Sequence, residues 1–376
     1  MDQKQYVLIF STAYLPFIGG AELAIKEITD RMHDLHFILI TARMRRDLPR
    51  RERIGTIDVY RVGIGIPFLD KVLSPILAAC KVFMLTRRVH VCLFWSVMVS
   101  YTTITPALLH MFGFYRNVPV LLTLQEGDSE KHIFEGRFGL IAFWWRISLR
   151  YARYVHVIST YLGTLARDFG YGGTLSVVPN GVDARVFYPR DVEREKNVIV
   201  TTSRLVRKNG IDLLISAMPY VVKHVPDAKL HIIGDGVERN KLERMVKVLH
   251  MEDAIIFFGA VSFEKVPDYL APAWVFVRPS RSEGLGTAFL EAMAMGIPVV
   301  ATRVGGIPDF LEDEKTGLFA DVDSVEDIAK KIICLLIDDA LHDKLSRNGK
   351  ELIKETYSWD IIAERIKTIF KNLCAS

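Results

Sequence analysis

The segment RPSRSEGLGTAFLEAMAMGIPVVAT, residues 278 to 302, places two carboxylates and two glycines where an apolar strand gives way to a helix. Glu283 precedes the helix, Gly284 and Gly286 flank Leu285 at its start, and Thr287 and Glu291 follow within it. Glycines at a helix start let backbone N–H groups approach an anion, and the positive end of the helix dipole favours a phosphate there. Carboxylates accept well from hydroxyl groups, so Glu283 and Glu291 suit two parts of one ligand, a sugar hydroxyl and a ribose hydroxyl. Either glutamate alone reads as an ordinary loop or helix-surface residue. Their combination between two apolar runs is what points to a phosphate cradle.

A second group, TTSRLVRKNGIDLLI, puts Arg204, Arg207 and Lys208 between a strand and a helix. Positive charge there can neutralise a diphosphate, with Arg supplying a planar fork and Lys a point charge. A solvated basic loop is the plain alternative for this group in isolation. Further polar candidates, Gln125, Glu126, Asp128 and His132, sit in LTLQEGDSEKH and suit an acceptor side. The Asp-x-Asp at Asp321 and Asp323 precedes a predicted helix, where Asp serves as a cap, and no metal site is expected from it. The four cysteines, Cys80, Cys92, Cys334 and Cys374, lack zinc-site spacing and read as buried apolar residues of a reducing compartment.

These groups need elements to hold them. Short Val- and Ile-rich runs alternate with segments of helical period, the pattern of βαβ units with parallel strands covered on both faces. The first half offers strands at 6–10, 36–40, 91–95, 118–124 and 154–159, the second at 198–203, 229–234, 254–259, 274–280 and 298–302. PNGVDARVFYPRDVEREKN, with its Asn-Gly turn and charged run, reads as the linker. The expectation is α/β, with domains at 1–188 and 189–357 and an amphipathic helix at about 358–376 crossing back onto the first. Ligands of open α/β sheets bind beyond the carboxyl ends of the strands, which for two such domains means a shared cleft.

Several motifs in order resemble the family-4 retaining glycosyltransferases, which have the GT-B fold of two facing Rossmann-like domains. They are Pro16 to Glu22 (PFIGGAE), Val178 to Asp183 (VPNGVD) with Phe187 and Pro189, Ser203 to Val206, Gly234 to Gly236, the Glu283 to Glu291 pair, and Val304 to Asp309. The resemblance implies transfer of a sugar from a nucleotide diphosphate sugar to a glycan, lipid-linked or other hydroxyl acceptor, with retention and without a metal or other cofactor. It assigns Arg204 and Lys208 to the donor diphosphate, the Gly284, Leu285, Gly286 and Thr287 region to phosphate and sugar, Glu283 to sugar hydroxyls and Glu291 to ribose. Gly19 and Gly20 would form the first domain's side, and Gly234 and Val261 lie where the nucleobase is met. The chain departs from the family pattern twice. Asn209 stands where a lysine is usual, leaving Lys208 or Arg207 to replace it, and Gln125 stands where many members end a strand with histidine. An epimerase or hydrolase of nucleotide sugars, or a non-catalytic binding subunit on the same fold, are the rival readings.

Composition sets the outer bounds. At 376 residues, half of them apolar, the chain is a folded protein long enough for two domains. Residues 1–190 carry 23 Lys and Arg against 15 Asp and Glu, the remainder 25 against 29. A basic first half suits anionic lipid or a phosphorylated acceptor more than nucleic acid, for which no binding motif is present. A basic aromatic segment at 138–155 reads either as an ordinary packed helix of the first domain or as one lying in a membrane interface, and the Arg-rich stretch from Arg43 to Arg53, read as a loop, suits phosphate head groups. The N-terminus lacks signal-peptide features, so the expectation is a cytoplasmic protein, peripheral on the inner membrane face.

Overall fold

A computed structural model describes residues 4–136 and 138–375. The chain divides into two compact units, residues 1–180 with 359–376, and residues 181–358. The division falls between Asn180 and Gly181, ahead of the expected boundary near 188.

The first unit contains β1 (Gln5–Phe10), α1 (Gly20–Asp30), β2 (His36–Ala42), β3 (Arg51–Ile54), β4 (Ile57–Val62), α2 (Pro67–Leu85) and β5 (His90–Val97). It continues with α3 (Thr105–Met111), β6 (Val120–Leu124), α4 (Glu130–Glu135), α5 (Leu140–Tyr151), β7 (Tyr154–Val157), α6 (Thr160–Asp168) and β8 (Thr174–Val177). The sheet order is β3-β4-β2-β1-β5-β6-β7-β8, parallel except for β3, which pairs antiparallel with β4. Central strands such as β1 and β6 are buried and, apart from Thr123, apolar in their inner residues, as expected of strands covered on both faces.

The second unit contains β9 (Val198–Thr202), α7 (Ile211–His224), β10 (Lys229–Ile233), α8 (Arg239–Val248), β11 (Ile255–Gly259), α9 (Val266–Leu270) and β12 (Val275–Arg278). It ends with α10 (Thr287–Ala294), β13 (Val299–Thr302), β14 (Leu318–Ala320), α11 (Val325–Ile337) and α12 (Asp339–Thr356). Its parallel sheet runs β11-β10-β9-β12-β13-β14. In sequence order that is 3-2-1-4-5-6, the doubly wound arrangement in which strand order reverses between the first and fourth strands. The reversal lies between β9 and β12, the two strands that lead into the basic loop and the glycine-rich loop.

The last helix, α13 (Trp359–Cys374), belongs to the first unit, burying Trp359, Ile362, Ile366 and Phe370 in the core with Ile25, Phe37 and Trp95. Cys92 of β5 and Cys374 of α13 form a disulfide with a Cα separation of 4.9 Å. That corrects the reading of all four cysteines as buried and unpaired. Cys80 is moreover exposed and Cys334 only half-buried.

The reading of the Arg-rich stretch as a loop is corrected in part. Part of the Arg-rich stretch forms the edge strand β3, and its arginines are engaged locally: Arg43 donates to the carbonyls of Leu48 (2.8 Å) and Arg46 (2.6 Å), and Arg45 pairs with Asp47. In the aromatic segment α5 buries Trp145 against Phe169, with ring centroids 5.1 Å apart, and leaves Phe138, Leu140 and Phe143 exposed. No helix of the described residues is long and apolar enough to cross a membrane.

Candidate functional site

Four loops of the second unit converge beyond the carboxyl ends of its strands, and glycines permit the approach. A Cβ on Gly210 would overlap the carbonyl oxygen of Pro279, and one on Gly234 that of Ser203. Both glycines also have positive φ, at 69° and 132°. The loop after β9 is thereby pressed against the loops after β10 and β12. Leu205 N–H donates to Asp235 (2.9 Å), and Arg281 N–H donates to Lys208 (2.6 Å). The Arg281 guanidinium reinforces this seam, bonding Asp212 through two nitrogens at 2.8 and 2.9 Å and the Arg207 carbonyl at 2.9 Å.

Within that frame Arg204 and Arg207 are exposed and Lys208 is half-buried in the same short loop. Asn209, which stands in place of the usual lysine, is buried, and its amide donates to the Arg204 carbonyl at 2.7 Å. It shapes the loop, whereas a lysine there would present charge.

The loop after β12 carries the second half of the cradle. Gly286 has φ 95° and caps α10, whose first turn holds Thr287, while Gly284, Leu285 and Gly286 are buried. The Glu283 carbonyl accepts from Gly306 N–H (3.3 Å), and a Cβ on Gly305 would overlap it. The glycines of VGGIPD are thus the floor on which Glu283 rests. Its carboxylate accepts from Arg278 Nη2 at 2.7 Å. Arg278 is buried at the end of β12, also donates to the Thr202 carbonyl (3.2 Å), and lies 4.6 Å from the Phe289 ring centroid. Sequence reading passed over this arginine, although an arginine ending the apolar run WVFV was its available signal.

Glu291 is held among buried neighbours, and burial pushes its carboxyl up to about 7 against the lowering effect of Arg278. Because the folded-state value lies above the ordinary one, the fold favours the protonated acid. The stability this contributes is present at low pH and is lost as pH rises from the ordinary carboxyl range through about 7. Glu291→Gln is therefore expected to be more stable than the wild type at pH 8, by on the order of 1–3 kcal/mol, and nearly equal at pH 4.5. Urea unfolding at the two pH values measures this. An equal difference at both would remove the carboxyl's titration as the cause.

Gly234 follows β10 directly and Val261 is half-buried in the loop after β11, so both lie beyond the carboxyl ends of strands of this sheet. Asp321 and Asp323 are not the helix cap that was expected: Ser324 caps α11, and Asp323 pairs with Arg281 at 2.6 Å. Among the described residues no group of three or more His, Cys, Asp or Glu is placed to hold a metal ion.

Gly19, Gly20, Gln125, Glu126 and His132 belong to the first unit. Gly19 caps α1 and Gly20 opens it, at the carboxyl end of β1. Thr12, in the same loop, shares a 2.8 Å hydrogen bond with Ser100, which follows the neighbouring strand β5. Gln125 accepts from the buried Asn180 amide at 3.1 Å. Glu126 is turned inward, accepting from the backbone N–H groups of Val99 (2.5 Å) and Gln125 (2.9 Å), and burial raises it to about 7. It braces two loops. His132 is exposed on the short α4.

Two doubly wound units, with a basic loop and a glycine-lined loop meeting at the strand-order reversal of the second, make the GT-B fold. Residues 185–352 match the family model described as "Glycosyl transferases group 1". That span is nearly all of the second unit. Over 230 residues the chain is 33% identical to a GDP-mannose-dependent alpha-(1-6)-phosphatidylinositol monomannoside mannosyltransferase of Mycobacterium tuberculosis, covering 56% of this chain and 60% of that protein. The chain thus spans only about half the length of the curated relatives of 30% identity or more, from 43% to 60%. An uncharacterized glycosyltransferase of Methanocaldococcus jannaschii is 26% identical over 371 residues, 97% of this chain and 98% of that one. Among solved structures, sucrose-phosphate synthase from Thermosynechococcus elongatus superposes with a TM-score of 0.86 at 21% identity, covering 99% of this chain and all of that one.

Proposed function

We propose that the chain is a retaining, metal-independent glycosyltransferase that moves a sugar from a nucleotide diphosphate sugar to a glycan or lipid-linked hydroxyl acceptor. It would work peripherally at the inner membrane face. The observation that carries the reading is the convergence, at the β9/β12 reversal, of the Arg204 to Lys208 loop with the glycine-lined start of α10 and its two glutamates. On this reading Arg204, Lys208 and the α10 N-terminus stabilise the charge that builds on the leaving diphosphate, a preorganised electrostatic contribution. The anomeric C–O bond to that diphosphate breaks, the acceptor oxygen bonds on the same face, and the leaving phosphate takes the acceptor's proton. Glu283 holds sugar hydroxyls and Glu291 the ribose.

A thermal-shift screen against UDP-, GDP- and ADP-sugars without added metal tests the donor site. One donor should raise Tm in the wild type, and the shift should vanish in folded Arg204→Ala and Glu291→Ala. Absence of any shift would leave the binding-subunit reading in its place. With the donor in hand, product NMR at the anomeric centre tests retention, and turnover without an acceptor would favour a hydrolase.

A further inference from the structure

The helix α2 is built inside out. Its polar residues Asp70 and Ser74 face the protein, where the Asp70 carboxylate accepts from the N–H groups of Met44 (3.1 Å), Ile64 (2.8 Å) and Gly65 (2.7 Å), and Ser74 accepts from Thr102 at 2.7 Å. With them on the inner face lie Pro75, Ala78, Val82 and Leu85. The outer face presents Phe68, Leu69, Val72, Leu73, Ile76 and Leu77, with Phe68 72% and Ile76 65% exposed, and continues through Met84. At the far end Phe83 packs edge-on against the exposed Phe114, at 5.2 Å between centroids, extending the surface beyond the helix.

Positions 68, 69, 72, 73, 76 and 77 follow the helical repeat, so they form one continuous stripe. A stripe of seven large apolar side chains approaches the several hundred Å² at which an exposed patch marks an interaction site. An ordinary surface helix has the opposite polarity.

The border of the stripe is basic. Lys81 lies 4.0 Å from the Tyr60 ring centroid and the Arg51 guanidinium 5.2 Å from the same ring. Burial, together with the neighbouring positive charges of Arg51 and Arg88, holds the Lys81 ammonium below its usual range. Such a set, apolar face with basic flank, is complementary to acyl chains beneath anionic head groups. A second copy meeting this face about a two-fold axis would set the like charges against one another. We infer that the outer face of α2, with Phe114 and the Arg51, Lys81 and Arg88 border, is the surface by which this protein lies in an anionic lipid bilayer. The inference deepens the membrane part of the function proposed above and is independent of its transfer chemistry.

The test is flotation of the full chain with vesicles of phosphatidylcholine alone and of phosphatidylcholine mixed with phosphatidylglycerol. The wild type should float with the mixed vesicles, less so at high salt. Phe68→Asp with Ile76→Asp should weaken partition at least about tenfold, and Lys81→Glu with Arg88→Glu should abolish the preference for anionic vesicles. All four positions belong to the first unit and none to the donor loops of the second, so the variants should keep the Tm and the donor-induced shift. That separates failure here from failure of the transferase reading. An environment-sensitive dye on the exposed Cys80, in a Cys334→Ser background, should shift to the blue on vesicle binding. Three results overturn the inference: a wild type that stays in the soluble fraction, aspartate variants that float unchanged, or a wild-type dimer that these aspartates dissociate.

Discussion

Removing both cations of the β9 loop, in Arg204→Ala/Lys208→Ala, is expected to lower kcat/KM for the donor by about 10³-fold or more, with each single change costing about 10²-fold. The loss should fall mainly on kcat. Charge on the leaving diphosphate grows as the anomeric bond breaks, so a cation that meets it binds the transition state more strongly than the ground state. Arg207→Ala is expected to stay within tenfold of the wild type. The Arg207 carbonyl is tied to Arg281, and Asn209 fixes the Arg204 carbonyl, so the loop's shape does not depend on the Arg207 side chain. Steady-state kinetics on the four variants decide it. If Arg207→Ala were the crippled one, it and not Lys208 would replace the lysine displaced by Asn209. If none lost more than tenfold, the loop would not be a diphosphate site.

Both loops of that site were legible in the sequence because their chemistry is contiguous. Glu283, Gly284, Gly286 and Glu291 lie within nine residues, and their placement follows from one strand, one turn and one helix. The parallel strands were legible for the same reason, as apolar runs such as LLTL and VIVTT. The strands β3 and β4 were not. RERI, at the sheet edge, is three charged residues and one isoleucine, IDVYRV beside it mixes charged with apolar residues, and arginines in a run of arginines read as loop. The short strands β8 and β14 gave too little apolar sequence to register. Pairings that only the fold creates were equally hidden, foremost Cys92 with Cys374 across a separation of 282 residues. The α2 stripe was hidden differently. An apolar helix reads as core, and only packing reveals that its less apolar side is the one turned inward.

Arg278 belongs to that hidden class, and replacing it should expose what it does. In Arg278→Met the apolar stem is kept and the charge that holds Glu283 is lost. Breaking a fully buried pair costs about 3–5 kcal/mol; with the Glu283 side chain 17% exposed, a cost of about 1–3 kcal/mol is expected here. Adding Glu283→Gln should recover part of that stability, because the orphaned carboxylate is then gone, and a double-mutant cycle would return the coupling. A merely structural arginine would predict no more than this. Arg278 also acts on Glu291, as the charge that opposes the upward push of burial on that carboxyl. Without it the Glu291 carboxyl should titrate above about 7. Donor binding that needs the ionised carboxylate should then weaken at pH 7 and return at higher pH. A nucleotide sugar is the right probe, since its diphosphate has no ionisation in this range to confuse the titration. If the pH profile of donor affinity in Arg278→Met matched that of the wild type, Arg278 would be a stabilising residue only. A profile displaced upward would make it the group that positions one donor carboxylate and keeps the other ionised.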